Sequence, residues 1–516
     1  MFLRDFVERC ANGFPDRVAF IHGEERRTWV EMHDRSDRLG GALQSLGVKK
    51  GDVVAILAHN RIELAEHWFA CLKTGMVRAG VNWRYSEREM LHAIRDSDAK
   101  AIIIEARCLE LIAPHLEELT AEGRHFIGFG GDHAFAHDYE TLLAKSGKPD
   151  YPELADADWA MIGYTSGTTG LPKGAILTQR NVREAAIHNT LANGYTYQDV
   201  RLYVTNPAGI NIFQMCYNMI CGMTTIVEDY DTRRFLDALQ EHAVTTVTVV
   251  PTMLRRIVDE VRSGHYKFPA LKQVCYGTMP TTPALIRSAY ETLGCTFMQR
   301  YGVSESSGAI AALRDADHKR ALQSDPELLT SVGRPLLHAD VSIRDEDGQP
   351  VKTGELGTVW IRSETVMAGY LNLPEETADA LRLPWLRTGD FGRMDDRGYI
   401  FLGDRKKNMI ISGGYNVYPI VVENALADYP GVGEAIVVGV PHPEWGEAVV
   451  AVVSMAPGAK ASSRDLIDHC HARLAKWETP KYVEFFNDLP LGNTDKLNKR
   501  EVRNILIASG RLPWTV

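Results

Sequence analysis

Short runs rich in Val, Ile and Ala alternate with longer amphipathic stretches along most of this chain. Residues 52–60 (DVVAILAHN) and 99–106 (AKAIIIEA) each predict a buried strand. Between them, residues 62–75 predict a helix that ends at Gly75. The same order of strand and helix returns at 224–229, 235–243 and 244–251. Because this alternation is typical of helices packed on parallel sheets, it predicts an α/β fold.

The last quarter of the chain has a different pattern. Its elements are short and of mixed type, and they follow one another at 398–419, 423–441, 447–456 and 465–477. A length of 516 residues also exceeds what one hydrophobic core usually serves. The sequence therefore predicts a large N-terminal multi-sheet α/β domain at 1–403 and a small, mobile α+β domain at 404–516. The short charged segment 404–407 suits a hinge between them.

Charge and cysteine usage limit the class of protein. The formal net charge of −10 argues against a nucleic-acid partner, so that any phosphate site must be built locally from backbone N–H groups and a few cations. The cysteines form no C-x-x-C pair and read as reduced thiols. The first ten residues, MFLRDFVERC, carry charges where a signal peptide needs apolar residues, and no apolar run approaches the ~20 residues of a membrane span. We expect a cytoplasmic enzyme without a membrane span.

The segment YTSGTTGLPKGA (164–175) is the strongest local signal for function. Closely spaced Ser, Thr and Gly followed by Lys173 can wrap N–H groups, hydroxyls and one cation around an anion. It is not a Walker loop, because Pro172 precedes the lysine, and the chain has no G-x-G-x-x-G fingerprint. Composition alone also allows a flexible surface loop. The apolar runs on both sides, however, predict a tight turn between two buried strands.

This segment resembles the signature of the adenylate-forming superfamily, which contains acyl-CoA synthetases, peptide-synthetase adenylation domains and firefly luciferase. In that family the loop holds the β- and γ-phosphates of ATP. The resemblance implies phosphate contacts from Thr165, Ser166, Gly167, Thr168, Thr169, Gly170 and Lys173, with Thr169 and Lys173 in catalytic places.

Further motifs follow in the family's order. QRYGVSE (299–305) resembles the aromatic-Gly-x-Thr-Glu motif, which implies that Tyr301 stacks on adenine and that Glu305 holds Mg²⁺. Arg300, Gly302 and Ser304 of the same motif are implied to lie in the nucleotide site. LRTGD resembles the motif whose aspartate, here Asp390, accepts both ribose hydroxyls. The segment YGTMP resembles the family's stretch along the adenine edge, with Gly277, Thr278, Met279 and Pro280.

The C-terminal motifs complete the resemblance. DRKKNMIISGGYNVYP (404–419) resembles the family's hinge and turn, which implies Arg405 near the ribose and Lys407 at the hinge. Gly413 and Gly414 would then lie beside the tunnel for the pantetheine thiol. PLGNTDKLNKRE (490–501) resembles the family's C-terminal motif, with Lys496 in the catalytic place.

The resemblance implies ATP, Mg²⁺ and CoA as cofactors, and an acid-thiol ligase that forms acyl-AMP, releases pyrophosphate and transfers the acyl group to CoA. The apolar side chains Ile210, Phe213 and Met215 favour an aryl, fatty or alicyclic acid. A homodimer is left open.

Four departures from the family pattern keep other interpretations open. Residues 205–214 lack a His that thioester-forming members often carry, with Ile210 or Asn211 in its place. Asp495 stands where Gly usually precedes the catalytic lysine, and Asn408 replaces an acidic residue next to the hinge. Arg300 stands where a small residue is common. One alternative is therefore an acyl-AMP ligase that passes the adenylate to another acceptor or partner. A second is a non-catalytic nucleotide-binding protein.

Overall fold

The computed structural model describes residues 1–165, 171–264, 266–277, 281–403, 409–456, 458–490 and 497–514. Its strands, in chain order, are β1 (Val18–His22), β2 (Glu25–Thr28), β3 (Val53–Leu57), β4 (Val77–Val81), β5 (Ala101–Glu105), β6 (His125–Phe129), β7 (His137–Asp138), β8 (Trp159–Thr165), β9 (Lys173–Thr178), β10 (Val200–Tyr203), β11 (Thr224–Val227), β12 (Thr246–Val249), β13 (Gln273–Gly277), β14 (Thr296–Val303), β15 (Gly308–Leu313), β16 (Arg334–Pro335), β17 (Asp340–Arg344), β18 (Gly357–Arg362), β19 (Gly369–Tyr370), β20 (Leu381–Arg382), β21 (Trp385–Met394), β22 (Ile400–Leu402), β23 (Ile410–Ser412), β24 (Tyr415–Val417), β25 (Val432–His442), β26 (Gly446–Met455) and β27 (Tyr482–Phe485). Its α-helices are α1 (Leu3–Gly13), α2 (Trp29–Ser45), α3 (Glu63–Thr74), α4 (Glu87–Asp96), α5 (Leu109–Ile112), α6 (Leu116–Ala121), α7 (Tyr139–Lys145), α8 (Gln179–Asn193), α9 (Phe213–Cys221), α10 (Thr232–Glu241), α11 (Pro251–Arg262), α12 (Pro283–Leu293), α13 (Asp315–Gln323), α14 (Pro374–Ala380), α15 (Pro419–Ala427), α16 (Ser463–His471) and α17 (Lys499–Ala508).

Two large sheets form most of the N-terminal part. Sheet A has nine strands in the order β16-β15-β14-β13-β12-β10-β11-β1-β2, and sheet B has eight in the order β19-β9-β8-β4-β3-β5-β6-β7. The inner strands run parallel, while β2, β15, β16, β9 and β19 pair antiparallel at the edges. Every residue of β3, β4 and β5 is buried, which explains the continuous apolar runs at 53–57 and 101–104.

A shared core holds the two sheets together. It includes side chains of α2, α3, α8 and α9 together with strands of both sheets. The rings of Trp68 on α3 and Phe213 on α9 lie 6.2 Å apart, and those of Phe20 on β1 and Phe69 on α3 lie 6.0 Å apart. The predicted helix at 62–75 is confirmed, and Gly75 ends it with a φ of +69°, a conformation that favours glycine.

Two smaller sheets follow. Sheet C has the order β17-β18-β21-β20 with β22 beside β21, and sheet D has the order β24-β23-β26-β25 with β27 beside β26. Sheet D carries its own apolar clusters, which include residues of α15, α16 and α17. The predicted α/β fold, with a large N-terminal multi-sheet domain and a smaller C-terminal domain, is confirmed. The boundary between 403 and 404 stays a prediction, because Arg405, Lys407 and Asn408 lie outside the described residues.

The helix predicted at 465–477 is shorter than expected. Helix α16 ends at His471, and Trp477 beyond it stacks on Tyr415 with 4.6 Å between ring centres. The indole therefore packs against the turn of sheet D instead of continuing the helix. Within the described ranges, we find no helix with the length and apolar character needed to cross a membrane.

Candidate active site

Strands β8 and β9 hold the two ends of the predicted phosphate loop. They pair antiparallel, with Thr165 opposite Lys173, and the Thr165 hydroxyl donates a 3.4 Å hydrogen bond to the Lys173 carbonyl. The predicted turn between two strands is therefore confirmed at its flanks. The loop itself lies outside the described residues, and its predicted phosphate contacts stay predictions for Ser166, Gly167, Thr168, Thr169 and Gly170.

Lys173, the predicted phosphate-binding cation, lies beside Tyr370 and Glu376. The short strand β19 pairs with β9 and places the Tyr370 ring centre 5.6 Å from the Lys173 ammonium. The ammonium also lies 3.7 Å from a carboxylate oxygen of Glu376 on α14. A phosphate that binds Lys173 would therefore compete with Glu376.

This competition gives a prediction for Glu376→Gln. Exposed ion pairs contribute little, and we expect the KM for ATP to fall by about 2- to 5-fold, because Lys173 is released for phosphate. The measurement is the ATP dependence of acid-driven pyrophosphate release. Glu375→Gln, on the same helix turn but without an ion pair in the described structure, is the matched control. A rise in KM for the Glu376 variant would contradict the prediction.

Glu305, the predicted metal ligand, is fixed by the same tyrosine. It follows β14 in a 3-10 turn, Ser304–Ser306, and its backbone carbonyl accepts a 2.8 Å hydrogen bond from Met367 N. The Tyr370 hydroxyl donates a 2.6 Å hydrogen bond to one carboxylate oxygen. Within the described ranges, Glu305 has no ion pair and its second oxygen has no hydrogen-bond partner. An oriented carboxylate without a counter-ion fits a Mg²⁺ ligand.

Tyr370 is a site residue that the sequence analysis missed. It lies far from Glu305 in the chain. The two residues are in contact because β19 pairs at the edge of sheet B, while Glu305 lies in the turn that follows β14 of sheet A. In the sequence, Tyr370 is marked only by a Gly-Tyr pair that precedes the Pro-Glu-Glu start of α14. This pattern does not indicate that Tyr370 contacts Glu305.

Tyr301 and Asp390, predicted at adenine and ribose, are in direct contact. The Tyr301 hydroxyl donates a 2.8 Å hydrogen bond to an Asp390 carboxylate oxygen. Asp390 N donates a 3.1 Å bond to the Thr388 hydroxyl, which donates in turn to the Val359 carbonyl at 2.8 Å. These bonds connect the aspartate to sheet C and bring the two predicted nucleotide contacts to one place.

Replacing Asp390 with Ala is expected to raise the KM for ATP about 100-fold, because two charge-assisted hydrogen bonds to the ribose would be lost. The measurement is the ATP dependence of pyrophosphate release at saturating acid. Asp340→Ala is the control, since Asp340 is an exposed aspartate of the same sheet that pairs with Arg362. An unchanged KM in the Asp390 variant would remove the ribose assignment.

Gly277 and Gly302 are needed for close strand packing. A Cβ on Gly302 would lie 1.8 Å from the Gly308 carbonyl oxygen, and one on Gly277 would lie 2.3 Å from the Arg300 carbonyl oxygen. Both glycines therefore allow β14 to approach its neighbours before the chain reaches Ser304. Their nucleotide contacts stay predictions, and Thr278, Met279 and Pro280 lie outside the described residues.

Arg300 points away from the predicted nucleotide contacts. Successive side chains of a strand face opposite sides of the sheet, and the Arg300 guanidinium donates a 2.8 Å hydrogen bond to the Thr248 hydroxyl on β12. It therefore lies across the sheet from the Tyr301–Asp390 pair. Its predicted contact with the nucleotide stays a prediction.

Gly413 and Gly414 form the turn between β23 and β24, with φ angles of +58° and +83° that favour glycine. Gly413 N donates a 3.0 Å hydrogen bond to the Trp445 carbonyl, which attaches the turn to the strands of sheet D. The role of this turn beside a thiol tunnel stays a prediction. Lys496 lies outside the described residues.

The apolar side chains predicted to line the acid pocket are mostly core residues. Phe213 is 2% exposed and Met215 is 0% exposed, and both belong to the core between sheets A and B. Ile210 is half-buried, and its Cγ2 lies 3.5 Å from the position of a Cβ on Gly163 of β8. Of these three, Ile210 is therefore the better candidate for contact with an acid near the end of β8.

Comparison with known proteins adds to this geometry. The model of the AMP-binding enzyme family matches residues 7–371, and that of the AMP-binding enzyme C-terminal domain matches residues 421–496. A feruloyl-CoA synthase of Amycolatopsis sp. is 35% identical over 96% of this chain and 97% of its own. The fatty acid–[acyl-carrier-protein] ligase ScoC of Streptomyces coeruleorubidus is 33% identical over 92% and 91%. The structure of the amide bond synthetase McbA of Marinactinospora thermotolerans superposes with a TM-score of 0.86, at 29% identity over 98% and 99% of the two chains.

Proposed function

The chain belongs to the family of AMP-binding enzymes, and from this premise we propose that it is an acid-thiol ligase that makes acyl-CoA through acyl-AMP. The proposal rests mainly on one observation. Tyr370 contacts both Glu305 and Lys173 beside the ends of the phosphate loop. A carboxylate for a metal and a cation for phosphate lie there around one tyrosine. The Tyr301–Asp390 pair provides the nucleoside contacts.

In the first half-reaction a carboxylate oxygen of the acid attacks the α-phosphorus of ATP, and the bond to pyrophosphate breaks. Positioning and charge neutralisation carry such a step, and little covalent work falls to the protein. Lys173 would leave Glu376 and neutralise charge on the departing pyrophosphate. Glu305 would hold Mg²⁺, which supplies further positive charge at the phosphates when bound.

In the second half-reaction the thiol of CoA attacks the acyl carbonyl, and AMP leaves as the thioester forms. We propose that the small domain turns about Lys407 between the two steps, so that Lys496 leaves and the Gly413–Gly414 turn approaches the thiol. The positive φ angles of both glycines support a wall at which a ligand passes close to the backbone.

We propose an acid with an apolar body, of aryl, fatty or alicyclic type. The names of the feruloyl and fatty-acid relatives, together with the half-buried Ile210, support this class. An acceptor other than CoA is the second candidate, because the relative ScoC is named for a carrier protein and McbA for an amide bond. Asp495 and Asn408 favour the same alternative. We also propose a cytoplasmic location, which the free state of the cysteines supports.

The test is incubation with Mg-ATP and a panel of carboxylic acids, with and without CoA. Pyrophosphate release and mass spectra of the products are measured. Acid-dependent acyl-CoA is the expected result. Acyl-AMP that persists with CoA present would assign the acceptor role to another thiol or to an amine. ATP binding without pyrophosphate release from any acid would contradict the proposed function and favour a non-catalytic nucleotide-binding protein.

A further inference from the structure

Two arginines lie on the face of sheet A that is covered by α8 and α9. Arg201 on β10 is 0% exposed, and its Nη1 donates a 3.2 Å hydrogen bond to Gln214. Among the residues that the structure describes, no group accepts a hydrogen bond from its Nε or Nη2 atom. The guanidinium lies over the rings of Tyr195 and Tyr217, at 4.5 Å and 5.1 Å from their centres. Arg201 is therefore held by aromatic faces and keeps two donors unused.

Arg300 on β14 lies within electrostatic range of the same two tyrosines. Its Nη2 donates to the Thr248 hydroxyl at 2.8 Å. Arg300 is half-buried, whereas Arg201 lies fully buried on the same face of the sheet. We call Arg201, Arg300, Thr248, Tyr195 and Tyr217 the two-arginine cluster.

The two-arginine cluster carries positive charge without an acidic partner. In the part of the chain that the structure describes, neither guanidinium forms an ion pair with a carboxylate. Burial raises the pKa of Tyr195 and of Tyr217 above that of an ordinary phenol, so both rings are neutral at pH 7. Charges withdrawn from water are costly unless an opposite charge and hydrogen bonds compensate them. Unused donors on a buried guanidinium match the two oxygens of a carboxylate.

The position of the cluster relates it to the acid and not to the nucleotide. Arg300 directly precedes Tyr301 on β14, and Glu305 follows in the next turn of the same segment. It faces the side of the sheet opposite to the Tyr301–Asp390 pair. The acyl group of an acyl-AMP is attached to the α-phosphate and points away from the nucleoside. It must therefore occupy space that the nucleotide does not fill.

We propose that the acid substrate carries a second carboxylate, which binds Arg300 and Thr248 with Arg201 behind them. This inference rests on the proposed function and narrows its substrate class to an acid with a charged far end. An apolar body remains compatible with it, because Ile210 and the tyrosine rings can contact the stem between the two carboxylates.

The test compares matched acids that differ only in the second carboxylate, with pyrophosphate release as the measurement. Hexanoate is paired with adipate, and phenylacetate with 1,4-phenylenediacetate. We expect at least one diacid to exceed its monoacid in kcat/KM by about 10-fold or more, because a buried guanidinium without its anion is penalised. Monoacids preferred in both pairs would overturn the inference while leaving the proposed function intact.

Substitutions of Arg300 test whether this residue causes the preference for a diacid over its monoacid. Arg300→Met is expected to lower the ratio of kcat/KM for the diacid to kcat/KM for the monoacid by about 10- to 100-fold, while Arg300→Lys regains part of that ratio. Arg262→Met is the matched control, since Arg262 is at the exposed end of α11 and contacts Thr292 and Glu291. Equal losses with both acids in the Arg300 variant would overturn the assignment. Absence of pyrophosphate with every acid in the unmodified enzyme would instead overturn the proposed function, and the inference with it.

Discussion

Replacing Glu305 with Gln is expected to lower acid-dependent pyrophosphate release by about 10²- to 10³-fold, the size of effect seen when one group that stabilises transition-state charge is removed. The substitution keeps the shape of the side chain and its bond from Tyr370, but it removes the negative charge that would hold Mg²⁺. The Mg²⁺ dependence should shift with it. The measurement is therefore kcat at saturating ATP and acid, across a titration of Mg²⁺.

Tyr370→Phe separates charge from orientation at the same carboxylate. It removes the 2.6 Å hydrogen bond to Glu305 and keeps the ring beside Lys173. We expect a loss of about 10-fold, consistent with one hydrogen bond to a charged group. In the Glu305→Gln background the hydroxyl of Tyr370 has no carboxylate to orient, so the loss in the double variant should be smaller than the two single losses combined. A Glu305→Gln variant with unchanged Mg²⁺ dependence would contradict the metal assignment.

The residues proposed to bind the nucleotide could be singled out from the sequence because each lies in a contiguous motif. Tyr301 and Asp390 each sit in a short pattern, and the structure brings the two side chains into contact across sheets A and C. The strands on both sides of the phosphate loop were equally predictable, since continuous apolar runs indicate strands buried on both faces. Local sequence is therefore sufficient to single out a residue within one motif. The contact between two motifs is seen only in the structure.

Contacts between segments that are distant in the chain could not be predicted in this way. Tyr370 reaches Glu305 only because an added edge strand, β19, joins sheet B to the end of β14. Arg201 and Arg300 lie on one face only because the order of four strands in sheet A, β14-β13-β12-β10, brings them together. Phe213 and Met215 were expected in the pocket, yet they pack in the core, because apolar composition does not distinguish a pocket wall from a core. These contacts depend on topology, which no single segment encodes.

A substitution of Lys496 should affect the two half-reactions to different extents. The described residues on either side of it are anchored: Asn498 N donates a 2.9 Å hydrogen bond to the Pro490 carbonyl, and the Asn498 side chain caps α17 by accepting from Glu501 N. Leu497 packs against an apolar cluster of sheet D. Since these contacts do not use the Lys496 side chain, its removal should change the chemistry without unfolding the small domain.

Lys496→Ala is therefore expected to lower the formation of acyl-AMP by about 10³-fold, because a cation that bridges the acid carboxylate and the phosphate stabilises only the first transition state. Thioester formation from supplied acyl-AMP and CoA should stay within about 3-fold of the unmodified enzyme, since in the proposed mechanism that step takes place with the small domain turned and the lysine withdrawn. Lys460→Ala, an exposed lysine of the same domain, is the control. Equal losses in both half-reactions would mean that Lys496 acts on the thioester step as well. Withdrawal of Lys496 by rotation of the small domain would then not distinguish the two half-reactions.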